Sequence, residues 1–238
     1  MSEPLRESVA IITGASKGIG KSIALSLASS GSKVILASRT QKELDVLAKE
    51  IRVRGGTSLS VVTDVSDEAQ VKSLVKQTMA EFGRIDVLVN NAGYAVISKV
   101  VDANVKDFDG MMNVNLRGAF LCSKAVLPSM IQQKKGAIIN IASLAGKNAF
   151  IGGAIYSATK WGLLGFSRSL MLEVREYNIR VVTICPGSVN TTFSDHSRDS
   201  EKIIQPQDVA DAVIFALSMP ARSNVSEIDI RPTVSPKQ

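Results

Sequence analysis

The sequence predicts an α/β fold in which helices cover both faces of a parallel sheet. Three observations carry this. Short β-branched runs alternate with longer helical patterns along the whole chain. The strand runs before the last are mostly apolar on both faces, as strands buried inside a parallel sheet require. The first strand leads directly into a glycine-rich turn that opens a helix.

The strand candidates are Val9–Ile12, Val34–Ala37, Ser58–Thr63, Ile85–Val89, Ala137–Ile141, Arg180–Ile184 and Ser226–Ile230. Helical patterns fall between them, near 18–30, 41–53, 67–82, 105–132, 153–176 and 207–218. With 238 residues, no internal repeat and no long linker, the chain fits one domain with a sizeable core. The final "RPTVSPKQ" reads as an irregular tail.

Composition narrows the function classes. Apolar residues make up 45% and charged residues 21%, the balance of an ordinary soluble domain. The N-terminal apolar run is too short for a signal-peptide core, and no segment approaches a membrane span, so a soluble cytoplasmic protein is expected. The net charge is +6, with small basic clusters at Lys33–Arg39 and Lys134–Lys135. No nucleic-acid motif or aromatic platform accompanies them, so no nucleic-acid partner is expected. Cys122 and Cys185 lie in apolar surroundings and read as buried free thiols. One histidine and two cysteines leave little material for a transition-metal site, and none is predicted.

The N-terminal half carries a nucleotide signature. In "TGASKGIG" the glycines are Gly14, Gly18 and Gly20, a GxxxGxG spacing between a strand and a helix. The first turns the chain; the others let backbone approach a pyrophosphate at the helix N-terminus. Ser38 stands at the end of the second strand, where an NAD enzyme usually carries an acidic residue, and Arg39 follows it. With no carboxylate to repel a 2′-phosphate, Arg39 and Lys17 can pair with one, which favours NADP over NAD. Asp64 in "VVTDVS" either accepts from an adenine amino group, with Val65 nearby, or caps the following turn, for which Ser66 is the nearer candidate. In "NNAGYA", Asn90 and Asn91 can tie strand ends together, and Ala92 and Gly93 leave room for a ribose.

The second half carries the candidate chemistry. Tyr156 and Lys160 are four apart in "YSATK" and share a helix face; Ser143 in "IASLAG" lies thirteen residues upstream. A phenol, an ammonium and a hydroxyl suit acid–base work on an alcohol or ketone. A tyrosine pKa of about 10 would need about 4 kcal/mol of differential stabilisation to reach about 7. Burial opposes that, so a cation must dominate, and Lys160 one helical turn away is the candidate. Plainer readings also exist: Ser143 caps a turn, and Asn115 bends a helix through a local backbone bond.

These motifs, taken in order with "NVN" and "PGSVNT", closely resemble the short-chain dehydrogenase/reductase family over nearly the whole chain. The resemblance implies a doubly wound Rossmann fold with a seven-stranded parallel sheet, a nicotinamide cofactor, and homotetramers or homodimers. It implies a proton-relay role for Asn115, carbonyl positioning for Ser143, acid–base transfer for Tyr156, and cofactor binding with tyrosine activation for Lys160. It places Pro186, Gly187, Val189 and Thr191 at the nicotinamide end. Ser16, Ile19 and Thr40 complete the expected cofactor contacts.

Within that family the chain looks like reductases of 3-oxoacyl thioesters and broad-specificity carbonyl reductases. Two departures stand out. Leu172 occupies a place where acyl-carrier-protein reductases commonly have arginine, which weakens a carrier-protein dock. The last strand lacks the usual paired glycines, which puts the usual C-terminal subunit packing in doubt. The expected activity is NADPH-dependent reduction of a ketone or aldehyde. The alternatives are an NAD-linked alcohol dehydrogenase and a noncatalytic NADP-binding sensor or scaffold. A short polar loop near 192–206 is expected to border the substrate, with Tyr94, Val96, Leu144, Gly153 and Phe193 as lining candidates and His196 as a lid residue. The helical patterns at 105–132 and 153–176 are the candidates for a subunit interface.

Overall fold

The computed structural model describes residues 5–191 and 202–233. Its strands are β1 (Val9–Thr13), β2 (Lys33–Ser38), β3 (Thr57–Val62), β4 (Val87–Asn90), β5 (Gly136–Ile141), β6 (Ile179–Pro186) and β7 (Glu227–Ile230). They form a seven-stranded sheet, in the order β3-β2-β1-β4-β5-β6-β7, and every pairing is parallel. The helices are α1 (Gly18–Ser29), α2 (Gln41–Val53), α3 (Glu68–Phe82), α4 (Val105–Met111), α5 (Gly118–Gln133), α6 (Ala154–Val174) and α7 (Pro206–Ser218). Among the described residues, no helix is long and apolar enough to cross a membrane.

The period-two alternation of the strands feeds two cores. Ala10 and Ile12 of β1 point to one face with Val34, Leu36, Val87 and Val89, against Ile23, Leu27, Leu44, Leu47 and Val213 of α1, α2 and α7. Val9 and Ile11 point to the other face, against Val71, Leu74, Leu121, Val126, Leu170 and Val174 of α3, α5 and α6. Strands buried on both faces have no polar side to spare, which is why their sequence runs are continuously apolar. Strand order reverses between β1 and β4, and a crevice forms beyond the carboxyl ends of strands at such a switch point.

Two local expectations are corrected. Asp67, not Ser66, caps α3: its carboxylate accepts from Ala69 N at 2.8 Å and Gln70 N at 3.2 Å. Asp67 immediately precedes the first helical residue, whereas the Ser66 hydroxyl donates to Asp64 Oδ1 at 2.6 Å. The helical pattern at 105–132 is not one regular helix. A π-helical segment, Met112–Arg117, separates α4 from α5. Each wide turn of that kind adds a residue and changes which side chains face inward.

Candidate active site

Thr13, the last residue of β1, ties the crevice together. Its Oγ1 accepts from Asn91 N at 3.0 Å and Ala92 N at 3.1 Å, and donates to Val89 O at 3.2 Å. Asn91 Nδ2 donates to Thr13 O at 2.9 Å and Gly14 O at 3.1 Å. Deeper in the sheet, Asn90 Nδ2 donates to Asn140 Oδ1 at 2.8 Å and Ser123 Oγ at 3.1 Å, and Asn140 Nδ2 donates to Ser167 Oγ at 2.8 Å. The expected tie between strand ends is present. Thr13, Ser123, Asn140 and Ser167 were not singled out from sequence. The signal available for Asn140 was an amide inside the apolar run "AIINIA".

The glycine loop is packed too tightly for side chains. Gly14 has φ +62°, and a Cβ there would lie 2.9 Å from Ala92 Cα. A Cβ on Gly20 would lie 2.2 Å from Gly14 O. Helix α1 then starts with no side-chain cap and no acidic residue in its first turn, leaving its first N–H groups for an anion. Ser16 and Ile19 flank this start, and Lys17 beside it is exposed. Thr191 returns to the same place: its Cγ2 lies 3.2 Å from where a Gly18 Cβ would stand. Val189 is buried and bridges Ile204, while Gly187 N donates to Ile230 O at 2.9 Å.

At the end of β2 the Ser38 hydroxyl is buried with no hydrogen-bond partner among the described residues, and Arg39 and Thr40 beside it are exposed. Thr40 precedes α2 without a side-chain cap bond. Asp64 is part-buried after β3, and its Oδ1 also accepts from Ser66 N at 2.9 Å. One carboxylate oxygen thus serves a local turn. Val65 is buried against Gly118. A loop whose glycines leave no room for a Cβ, an uncapped helix start, a hydroxyl without a partner among the described residues and two nearby exposed cations fit a dinucleotide.

Tyr156 sits in the first turn of α6, with Lys160 one turn on. Burial raises the Tyr156 pKa above the ordinary phenol value, and a hydrogen bond with Ser143 opposes the rise. Lys160 is buried; its Nζ donates to Ile141 O at 2.9 Å and lies 5.7 Å from the centre of the Tyr156 ring. Burial pushes its pKa down to about 8, with Cys185 acting weakly the other way. Lys160 does not lower the Tyr156 pKa as expected; burial outweighs the other influences on the phenol. The ammonium is itself desolvated, and it donates to a backbone carbonyl.

Ser143 also accepts from Ala145 N at 3.1 Å, so the capping reading and the contact with Tyr156 hold together. Its Oγ lies 3.5 Å from Pro186 O, which places the end of β6 beside it. Asn115 is buried in the π-helical segment. Its Oδ1 accepts from Tyr94 N at 3.0 Å, and its Nδ2 donates to Tyr94 O at 2.8 Å and Thr159 Oγ1 at 3.1 Å. It clamps the loop after β4 to α6. A Cβ on Gly93 would lie 3.2 Å from Asn115 Oδ1 and 3.8 Å from Lys160 Nζ, so these three meet at one spot. Phe193 and His196 lie outside the described residues. Both cysteines are buried and free; burial pushes Cys122 up to about 12 and Cys185 up to about 11.

A doubly wound sheet whose switch-point crevice holds a nucleotide cradle beside a serine, a tyrosine and a lysine is the frame of a nicotinamide-dependent oxidoreductase. Comparison with known proteins agrees. The model for short chain dehydrogenases matches residues 8–202. An uncharacterized oxidoreductase of Staphylococcus saprophyticus is 39% identical over 230 residues, 96% of this chain and 98% of that one. A metagenomic short-chain oxidoreductase in complex with NADP has TM-score 0.88 and 37% identity, covering 98% of this chain and 100% of that chain. An alcohol dehydrogenase from the archaeon Thermococcus sibiricus, complexed with 5-hydroxy-NADP, has TM-score 0.91 and 30% identity over 98% of this chain and 100% of its own. Serine dehydrogenase from Escherichia coli has TM-score 0.85 and 32% identity over 94% and 97%. The chain belongs to the short chain dehydrogenase family and is an NAD(P)-dependent oxidoreductase acting on carbonyl or alcohol groups.

Proposed function

We propose that this enzyme reduces a ketone or aldehyde to an alcohol with NADPH, its substrates being 3-oxoacyl thioesters or small general carbonyl compounds. The observation that carries the reading is the hydrogen bond between Ser143 and a Tyr156 held protonated above the buried Lys160. A phenol kept neutral is ready to give a proton, the direction reduction needs.

Gly14, Ser16, Gly18, Ile19 and Gly20 hold the pyrophosphate. Ser38, Arg39 and Thr40 hold the 2′-phosphate, with Lys17 adding a second positive charge; the Ser38 hydroxyl, without a partner among the described residues, gains one there. Asp64 and Val65 border the adenine, Asn91, Ala92 and Gly93 the central ribose, and Pro186, Gly187, Val189 and Thr191 the nicotinamide. The NADP and 5-hydroxy-NADP complexes of the two similar enzymes support this choice of cofactor. Bound NADPH supplies the hydride. Ser143 orients the carbonyl oxygen, and Tyr156 delivers its proton there as negative charge builds. Lys160, 5.7 Å from the ring centre, steadies the phenolate that remains. Asn115 fixes the wall of the site through Tyr94 and Thr159.

Leu172 stands where acyl-carrier-protein reductases commonly have arginine, so free carbonyls or small thioesters suit this chain better than a carrier-bound acyl chain. We assign the protein to a single domain in the cytoplasm, assembled as a homotetramer. The test is initial rates with NADPH and NADH on a matched 3-oxoacyl thioester, a small diketone and an aromatic aldehyde. Turnover with NADPH that disappears in Tyr156→Phe, with NADPH binding retained, is expected. Unchanged turnover in Tyr156→Phe would sink the acid role.

A further inference from the structure

We propose that Phe150 is a specificity-determining wall of the substrate site, favouring carbonyl compounds that carry an aromatic or bulky apolar group. The inference rests on the reading that Ser143 and Tyr156 act on the carbonyl. Those two residues are the ends of one short segment, 143–156, and Phe150 stands within it.

Gly153 fixes where the Phe150 ring lies. A Cβ built on Gly153 would fall 2.3 Å from Phe150 Cζ, 2.4 Å from Cε1 and 2.6 Å from Cε2. The tip of the ring therefore stands where a side chain at 153 would begin. Gly153 N donates to Phe150 O at 3.1 Å, which closes the turn beneath it. Ser157 N donates to Gly153 O at 2.7 Å, so Gly153 is already in register with α6. Positions three apart on a helix share a face, with Cβ atoms about 5–6 Å apart. Tyr156 is three residues on from Gly153. Helical side chains lean toward the N-terminus, the end of α6 at which the Phe150 ring meets Gly153.

Gly153 is buried while Phe150 remains 45% exposed. The ring packs by its tip and leaves much of its surface open beside the reacting groups. The loop after β4 is tied to the same turn. Ser98 N donates to Gly152 O at 3.0 Å, and Ile97 Cγ2 lies 3.0 Å from where a Gly152 Cβ would stand. Ile97 is 58% exposed. It belongs to the loop whose start, Tyr94, is clamped by Asn115. Two open apolar side chains on mutually braced loops thus border the entrance to Tyr156.

The experiment compares kcat/KM for benzaldehyde and for 2,3-butanedione, both with NADPH, in the native enzyme and in Phe150→Ala, Phe150→Trp and Gly153→Ala. Contact of an aromatic pair predicts that the benzaldehyde-to-butanedione ratio falls about tenfold in Phe150→Ala. Phe150→Trp keeps a ring there and restores the preference. Gly153→Ala displaces the native ring and lowers the ratio in the same direction. Retained NADPH binding by fluorescence titration shows that each variant is folded. A ratio within about twofold of native in Phe150→Ala overturns the inference, as does an equal loss on both substrates. A native enzyme that binds NADPH tightly and reduces no carbonyl overturns the functional reading itself, and this wall with it.

Discussion

Lys160 has an ordinary lysine value of 10.5 in water, and burial brings it down to about 8 in the fold. Its charge is present below that pH and is lost as pH rises through it. The shift on Tyr156 runs the other way, upward, so the phenol stays protonated throughout this range. The parameter kcat/KM for NADPH reports groups of the free enzyme. It should fall above about pH 8, about tenfold per unit at the steep end, because the cation proposed to steady the phenolate disappears. In Lys160→Met the same plot should be low and flat; a persisting limb near pH 8 would assign it to another group. At the far end of the crevice, Arg39 is exposed and Ser38 beside it has a buried hydroxyl without a partner among the described residues. Charge-assisted bonds of about 1.5–3 kcal/mol each make phosphate recognition sensitive to charge reversal. Arg39→Asp should raise KM for NADPH about a hundredfold and that for NADH less than threefold. Parallel changes for the two cofactors would reject a selective phosphate contact.

The π-helical turn between α4 and α5 sets the site at the scale of elements. It carries Asn115, whose amide spans the backbone of Tyr94 and the hydroxyl of Thr159. Thr159 in turn donates to Tyr156 O at 2.7 Å. Asn115→Ala removes three hydrogen bonds and leaves their partners facing a void, at a cost of about 2–3 kcal/mol. Urea denaturation should show that loss, and turnover should fall with it; native stability would remove Asn115 from its clamping role. Sequence made the strands and most helices legible, because strands buried on both faces must be apolar and helices repeat their apolar positions. It marked Asn115 as a residue able to bend a helix. It did not reveal the π-turn, since the apolar repeat of 105–132 continues across it. The Asn90–Asn140–Ser167 network was only half legible: Asn90 lay in a glycine-flanked loop motif, but Asn140 was one amide in a strand run. Which group caps α3 turned on a single residue of register between Ser66 and Asp67. The balance at Tyr156 was illegible, because the sequence names Lys160 but cannot say that its ammonium donates to Ile141 O.

The outer surface of α5 and α6 bears on the whole molecule. Phe120 on α5 is 44% exposed, and Trp161 and Leu172 on α6 are 55% and 61% exposed. Phe120 meets the partly buried Phe166 edge to face at 6.3 Å, which links the two helices across this surface. Trp161, Gly165, Arg168 and Leu172 follow one another at spacings of four, three and four, the stripe of one helix face. Gly165 is the informative member. Among the described residues, no atom beyond its chain neighbours and its own helix backbone lies within 4 Å of where its Cβ would stand, so no contact among them requires a glycine there. A glycine in a helix interior costs about 0.5–1 kcal/mol relative to alanine, a penalty without return in an isolated protomer. In the proposed homotetramer, close approach of a helix from a second copy would supply the return, and the flanking aromatics the apolar area. This is the face on which we place the subunit contact of the proposed homotetramer. Gly165→Leu should therefore shift sedimentation toward smaller species while the circular dichroism of the protomer is preserved. Trp161→Asp should do the same by placing a charge in the contact. If both variants sediment as the native protein does, subunits meet elsewhere, and Gly165 needs another explanation.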